Sequence, residues 1–232
     1  MLATFRQAWN MARRSGFVTA ESPTRSVKLP KFDNKRQGFF SHEEADLLLV
    51  KLKEKNETVS RMALLSLHTG MRASEILSLT WGCVDTDRGI IAILDTKSGK
   101  SRTAFMTDQL RSMFLGMKRS KRNDLVFFQR KMKLYGEIPP LFRHVVEDLK
   151  LNENITDKRQ RLCFHSLRHT FASWHAENGT NLYVIKELLG HGSIQLTERY
   201  SHLSKGTLQD ATKNLEKSIA KKKKGEVIEL NK

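Results

Sequence analysis

The chain of 232 residues is short of several things, and each shortage removes a class of explanation. Cysteine occurs only twice, as Cys83 and Cys163. Two thiols so far apart make no disulfide framework, and a reducing compartment is the simpler setting. No apolar run approaches the ~18 residues of a membrane helix. The opening MLATFRQAWNMARR lacks the apolar centre of an export signal, so the expectation is an intracellular, cytoplasmic protein without a membrane partner. The Asn-x-Thr sequences at Asn56, Asn154 and Asn178 then carry no meaning. Ser98-Gly99-Lys100-Ser101 has the ending of a phosphate-binding loop, but that loop needs a glycine where the chain has Leu94, and the ATPase reading fails. Acidic residues are scarce too: 25 against 41 lysines and arginines, for a formal charge of +16. Such an excess beyond what solubility needs calls for a polyanion, and nucleic acid is the commonest one.

Apolar residues make up 39% of the chain, enough for the core of one domain with an appended fragment. Leu2, Phe5, Trp9 and Ala12 recur at steps of three and four, one face of a helix that Gly16 can cap. This first stretch, residues 1–20, reads as the last helix of a domain of which the rest is missing. Residues 21–38, with Pro23 and Pro30 and little apolar periodicity, read as a linker. A main domain is expected over 39–204. It opens with a capping box, Ser41 and Glu44, ahead of the apolar run Leu47 to Val50. A second helix should run to about His68 and stop at Gly70. The period then changes: Ile90 to Leu94 reads as a strand, Ser98-Gly99 as a turn and Arg102 to Met106 as the returning strand, with Leu125 to Phe128 a further short one. Pro139-Pro140 suits the first turn of a helix through Leu149. From His165 onward the pattern is helical, punctuated by Gly179 and Gly190-His191-Gly192. The fold class expected is α+β, mainly α-helical, with a small antiparallel β-sheet. Residues 205–232 form a basic tail in which Lys221 to Lys224 suit a solvated helix end or phosphate contacts.

Four segments carry chemistry. Thr69-Gly70-Met71-Arg72-Ala73-Ser74-Glu75 places an arginine just past a helix stop. Asp95-Thr96-Lys97-Ser98-Gly99-Lys100 places lysines where a strand meets its turn. His165-Ser166-Leu167-Arg168-His169-Thr170 opens a helix with a histidine and an arginine three apart, hence on one face. Leu189-Gly190-His191 precedes Tyr200 by nine residues. Phosphodiester exchange without a metal needs permanent cations that fork onto phosphate oxygens, and Arg72 and Arg168 suit that task. It needs an oxygen nucleophile that can later be expelled, and a phenol of pKa about 10 leaves more readily than a serine alkoxide. It also needs a proton for the departing oxygen, which a lysine on a mobile turn can deliver; Lys97 and Lys100 both stand there.

Taken in order, TGMRASE, the hairpin lysine, HSLRHTFAS and LLGHGSIQLTERYSHL resemble the tyrosine recombinases, the phage integrase family, over roughly residues 38–205. The resemblance implies that family's catalytic-domain fold, the DNA breaking-rejoining fold. It implies that Arg72 and Arg168 hold the scissile phosphate while Tyr200 attacks it, giving a 3′-phosphotyrosine and a free 5′-hydroxyl. The family register selects Lys97 over Lys100 as general acid. His165 would help accept the tyrosine proton, His191 would hydrogen-bond a phosphate oxygen, and Glu75 would buttress the first arginine. Neither metal nor ATP is implied, and no cofactor. The implied partners are double-stranded DNA carrying a specific attachment or recombination site, three further protomers in a homotetramer, and accessory DNA-bending or excisionase proteins.

The other residues have plainer readings. His169 is expected to pack and support its helix, Tyr183 to pack among Val184, Ile185 and Leu188, and Cys163, His165 and His169 to lack the fourth ligand of a structural zinc site. Two rivals remain: a type IB topoisomerase, whose family typically carries a lysine at the position of His165, and a DNA-binding regulator with the fold but no activity.

Overall fold

Ser41 starts the main domain as its side chain suggests. Its hydroxyl accepts the Glu44 amide at 3.1 Å, and the Glu44 carboxylate accepts the Ser41 amide at 2.9 Å. The computed structural model describes residues 2–28, 37–94, 101–128 and 137–203, together with 212, 213, 215–217 and 219, which are helical. These fall into two compact units divided between Lys35 and Arg36.

In the first unit α1 spans Leu2–Arg14 and buries none of its residues. Residues 20–27 fold onto it through side chains rather than through a core. Arg6 donates to the Thr24 and Val27 carbonyls, and Trp9 Nε1 donates to the Ala20 carbonyl at 3.1 Å. The stretch expected as linker is therefore divided: its first part belongs to this unit. Its last residues belong to the second unit, where the Gln37 amide donates to the Arg159 carbonyl at 2.9 Å.

In the second unit α2 (His42–Lys55) and α3 (Glu57–Thr69) meet at Asn56, whose amide closes α2 on Leu52 and whose side chain accepts the Val59 amide to open α3. Helix α2 buries one stripe, Ala45, Leu48 and Leu52. Helix α3 is buried almost all round, as a central helix must be. It stops at Gly70, whose left-handed φ of 64° only glycine adopts without strain. The short α4 (Ala73–Leu77) follows, then a 3-10 turn at Trp81–Cys83. A three-stranded antiparallel sheet comes next: β1 (Val84–Asp85), β2 (Ile90–Ile93) and β3 (Arg102–Phe105), in that spatial order. Ile91 pairs with Val84 on one side and Ala104 on the other. The residues that would turn β2 into β3, 95–100, lie outside the described ones. The first strand, only two residues long, has no periodicity to announce it, and the strand expected at Leu125 to Phe128 is a single bridge from Leu125 to Thr80.

Helices α5 (Asp108–Leu115), α6 (Leu141–Asp148), α7 (Phe164–Glu177) and α8 (Leu182–Leu189) complete the unit. The fold is α+β and mainly helical, with α7 packed between α3 and α8. A large core gathers side chains from α2, α3, α5, α6, α7 and the sheet. Each fully buried leucine in it, such as Leu48, Leu52 or Leu65, contributes roughly 2 kcal/mol. A second, smaller cluster contains Phe171, Ala172, Ala176, Ile185, Leu189 and Tyr200. After α8 the described chain forms two 3-10 segments, Ile194–Leu196 and Glu198–Leu203, where a regular helix was expected. Tyr183 is 67% exposed, so its expected packing role is wrong; Ile185 and Leu189 are the residues of α8 that face inward.

Candidate active site

The large core delivers Arg72 and Glu75 to the surface of the site. Arg72 follows the α3 stop in extended conformation and caps α4; its amide donates to Glu75 Oε2 at 2.9 Å and its Nη1 to Glu75 Oε1 at 2.8 Å. Glu75 itself is buried and receives a second, forked cation: Arg102 Nη1 and Nη2 donate to its two oxygens at 2.9 and 2.8 Å. Burial pushes the Glu75 carboxyl up, but the Arg102 and Arg72 hydrogen bonds and the Arg102 charge outweigh it and bring the group to about 2. Glu75 is thus a carboxylate that orients two guanidinium groups. Among the described residues Arg72 keeps most of its five donors uncommitted, and it stays partly exposed.

Arg102 was not singled out from sequence. It shares the inward face of β3 with buried Ala104, two residues on, so its strand register was the available signal. Its Nε donates to the Leu188 carbonyl at 3.2 Å, tying the sheet to the end of α8. Gly190, at φ 63°, lies against it: a Cβ there would stand 2.8 Å from Arg102 Cδ.

Arg168, on α7, is 3% exposed. Its Nη1 donates to the Gly70 carbonyl at 2.5 Å and its Nη2 to the Leu189 carbonyl at 2.6 Å. Both carbonyls sit at helix C-terminal ends, the negative poles of α3 and α8, which favour a cation. Burial, then Arg72 and Arg102, pull the guanidinium down to about 9, so it stays cationic at neutral pH. Among the described residues two of its donors are spent on the protein and three remain.

His191 follows the left-handed cap at Gly190, and its Nδ1 lies 2.8 Å from the Thr197 hydroxyl. Burial, followed by Arg168, Arg72, Arg199 and Arg102, holds it near 3, hence neutral. Tyr200 is 5% exposed, in the small cluster, with its phenol oxygen 2.7 Å from His169 Nδ1. Burial raises the phenol to about 12, against the pull of Arg199 and Arg168. His169 is therefore not merely packed. Burial, with His165, Arg199, Arg168 and His191 around it, lowers its imidazole to about 3. His165 is exposed at the start of α7, its ring edge-on to His169 at a centroid distance of 4.8 Å. Arg199, also unforeseen, keeps a buried Nε with no hydrogen-bond partner among the described residues.

Arg72, Glu75, Arg168, His191 and Tyr200 thus influence one another's charge across a single site, and His165 borders it through His169. Lys97, expected as general acid, lies outside the described residues, as do Lys100 and most of the tail from 204. Two forked cations, neutral imidazoles and a protonated phenol can hold a phosphate and exchange a proton with a nucleophile.

Comparison with known proteins points the same way. The model of the phage integrase family matches residues 39–207. The integrase of Haemophilus phage HP1 (strain HP1c1) is 31% identical over 212 residues, which is 91% of this chain and 57% of that protein. Tyrosine recombinase XerA of Saccharolobus solfataricus is 33% identical over 140 residues, 60% of this chain and 44% of the relative. The chain spans about half the length of these two curated relatives. Among solved structures, the catalytic domain of bacteriophage HP1 integrase superposes with a TM-score of 0.59 at 30% identity, covering 77% of this chain and 95% of that one. The Tn1549 transposon integrase in complex with transposon right end DNA gives a TM-score of 0.68 at 16% identity, over 92% of this chain and 77% of that one, a likeness of fold alone.

Proposed function

The chain belongs to the phage integrase family, and on that premise we propose that it is the catalytic part of a site-specific recombinase that cuts and rejoins double-stranded DNA through Tyr200. Arg72 and Arg168 hold the non-bridging oxygens of the scissile phosphate with the donors they have left. The Tyr200 oxygen attacks phosphorus, the bond to the 5′-oxygen breaks, and a 3′-phosphotyrosine forms. The departing 5′-oxygen takes a proton from Lys97. His191, with Nδ1 accepting the Thr197 hydroxyl, presents Nε2–H to a phosphate oxygen. His165 stands at the exposed start of α7 with its ring edge-on to His169. Rejoining is the reverse step with a 5′-hydroxyl from a partner duplex; the energy kept in the phosphotyrosine dispenses with ATP, and the two guanidinium groups supply the positive charge a metal would otherwise bring. The net charge of +16 supplies the attraction to DNA. A homotetramer on its target site, helped by DNA-bending or excisionase proteins, and a place in the cytoplasm complete the reading; among the described residues no helix is long and apolar enough to cross a membrane.

One observation carries this: a buried, protonated phenol lies in the field of Arg168, whose guanidinium is pinned between two helix ends beside Arg72. The test is a pool of nicked suicide duplexes of randomised sequence, with covalent adducts resolved on a denaturing gel. The parent chain should be captured covalently, and Tyr200→Phe should retard DNA equally while forming no adduct. An adduct that survives in Tyr200→Phe moves the nucleophile elsewhere. Retardation without any adduct favours a DNA-binding regulator, and relaxation of supercoiled plasmid without site preference favours a type IB topoisomerase.

A further inference from the structure

Tyr200 cannot attack phosphorus without losing its proton, and the structure places one acceptor at that proton. The phenol oxygen is 2.7 Å from His169 Nδ1, in a pocket where both side chains are buried. Which of the two donates follows from satisfaction of the pair. If Nδ1–H pointed at the phenol, the phenolic hydrogen would need another acceptor, and His169 is the only hydrogen-bond partner of the Tyr200 hydroxyl among the described residues. The phenol therefore donates and Nδ1 accepts, which leaves the ring proton on Nε2. In that arrangement a lone pair of the phenol oxygen stays free for phosphorus.

We infer that His169 is the catalytic residue that takes the Tyr200 proton during attack and returns it during rejoining. His165, to which the family resemblance gave a share in this transfer, lies edge-on to His169 at a centroid distance of 4.8 Å. The inference rests on the proposed recombinase reading. The balance is simple: the phenol oxygen gains its bond to phosphorus, the 5′-oxygen loses its own and is protonated by the general acid, and the phenol proton moves to Nδ1 to make an imidazolium. On rejoining each of these moves reverses.

The surroundings explain why such a base can be silent in the free protein. The groups facing His169 are His165 and Arg168 from α7, Arg199 from the last 3-10 segment and His191 after α8. Burial disfavours a charge on the imidazole, and His165 and the two arginines add to this, so it stays neutral; burial keeps the phenol protonated against the pull of the same arginines. A phosphate bound at Arg168 brings the opposite charge and offsets that bias. The phenol oxygen also loses its basicity as it bonds to phosphorus, so transfer becomes downhill only along the reaction. The nucleophile is thus uncovered by the substrate it attacks.

The test compares adduct formation on captured duplexes by the parent, His169→Asn and His165→Asn across pH. Asparagine can accept the phenol hydrogen bond in place of Nδ1 but cannot take the proton. His169→Asn should form adduct about 100-fold more slowly near neutral pH. Its rate should then climb more steeply with pH than the parent's, approaching about ten-fold per unit, because solvent hydroxide must do the work. His169→Ala, should His169→Asn be poorly folded, should regain adduct formation with added imidazole. A His169→Asn variant as fast as the parent overturns the inference alone. So does a slow variant that keeps the parent's pH profile and ignores imidazole, since His169 would then only hold the ring. If His165→Asn acquires the steep profile instead, the proton goes to His165. A parent chain that forms no adduct on any duplex sinks the recombinase reading and this inference with it.

Discussion

The two halves of the site rest on unequal foundations. Arg72 and Glu75 stand where α3, which the large core buries on nearly every side, gives way to α4, whose Ile76 belongs to the same core. Tyr200 stands on a 3-10 segment whose anchor is the small cluster around Phe171, Ile185 and Leu189, and Tyr200 is itself one of that cluster's few members. A phosphate clamp gains from rigidity, since its donors must point where charge will develop. A nucleophile that has to reach into and withdraw from a bond gains from being held by few contacts. Arg168 belongs to both halves, because it bonds the end of α3 with one nitrogen and the end of α8 with the other.

Removing that shared residue should have the largest effect. Arg168→Ala leaves the Gly70 and Leu189 carbonyls without their donor and the phosphate without a fork, and adduct formation should drop by at least about 1,000-fold. Arg168→Lys, which cannot span both carbonyls, should recover little of it. Full activity in the lysine variant, scored on the same denaturing gel, would separate the halves that this comparison joins.

Next come the two cores. Leu65→Ala, in the large one, should cost about 3 kcal/mol of unfolding free energy while leaving cleavage per folded molecule unchanged. Ile185→Ala, in the small one, should also lower stability but slow cleavage about ten-fold per folded molecule, because roughly 1.4 kcal/mol of misplacement suffices for that. Denaturant titration paired with adduct rates distinguishes them, and an Ile185→Ala variant with the parent's rate would mean that something else positions Tyr200.

The last comparison is a pH dependence that should differ between the halves. His169 and His191 sit near 3 in the folded chain against an ordinary 6.5, so the unfolded chain binds protons that the folded one refuses. Stability should therefore decline as pH falls from 6.5 toward 3. Glu75, near 2 against an ordinary 4.5, contributes fully above 4.5 and loses its contribution as pH falls toward 2. Thermal unfolding should accordingly show a first loss that His169→Asn diminishes and a later one that Glu75→Gln removes. A single loss confined below the carboxylate range would refute the assignment of neutral, buried imidazoles.

Local signals made most of the helices legible in the sequence. The Ser41 and Glu44 box, the Gly70 stop and the Ile90 to Ile93 alternation each depend on neighbours a few residues away, and so do the segments holding Arg72, Arg168, His191 and Tyr200. What stayed hidden depends on pairs that only folding creates. Glu75 meets Arg102 across 27 positions, and Tyr200 meets His169 across 31. No period or cap announces such partners, although the inward register of β3 hints at Arg102. Tyr183 misled for a related reason: α8 is apolar enough on several faces that the sequence does not say which one turns inward, and packing against α7 decides it.

The bonds of Arg168 also bear on how the protein is made. Synthesis delivers the Gly70 carbonyl early and the Leu189 carbonyl late, and the guanidinium needs both before it is fixed. A nascent chain, or one cut short before α8, has no finished clamp to offer a phosphate. On the proposed reading, no phosphate site is complete until α8 has emerged.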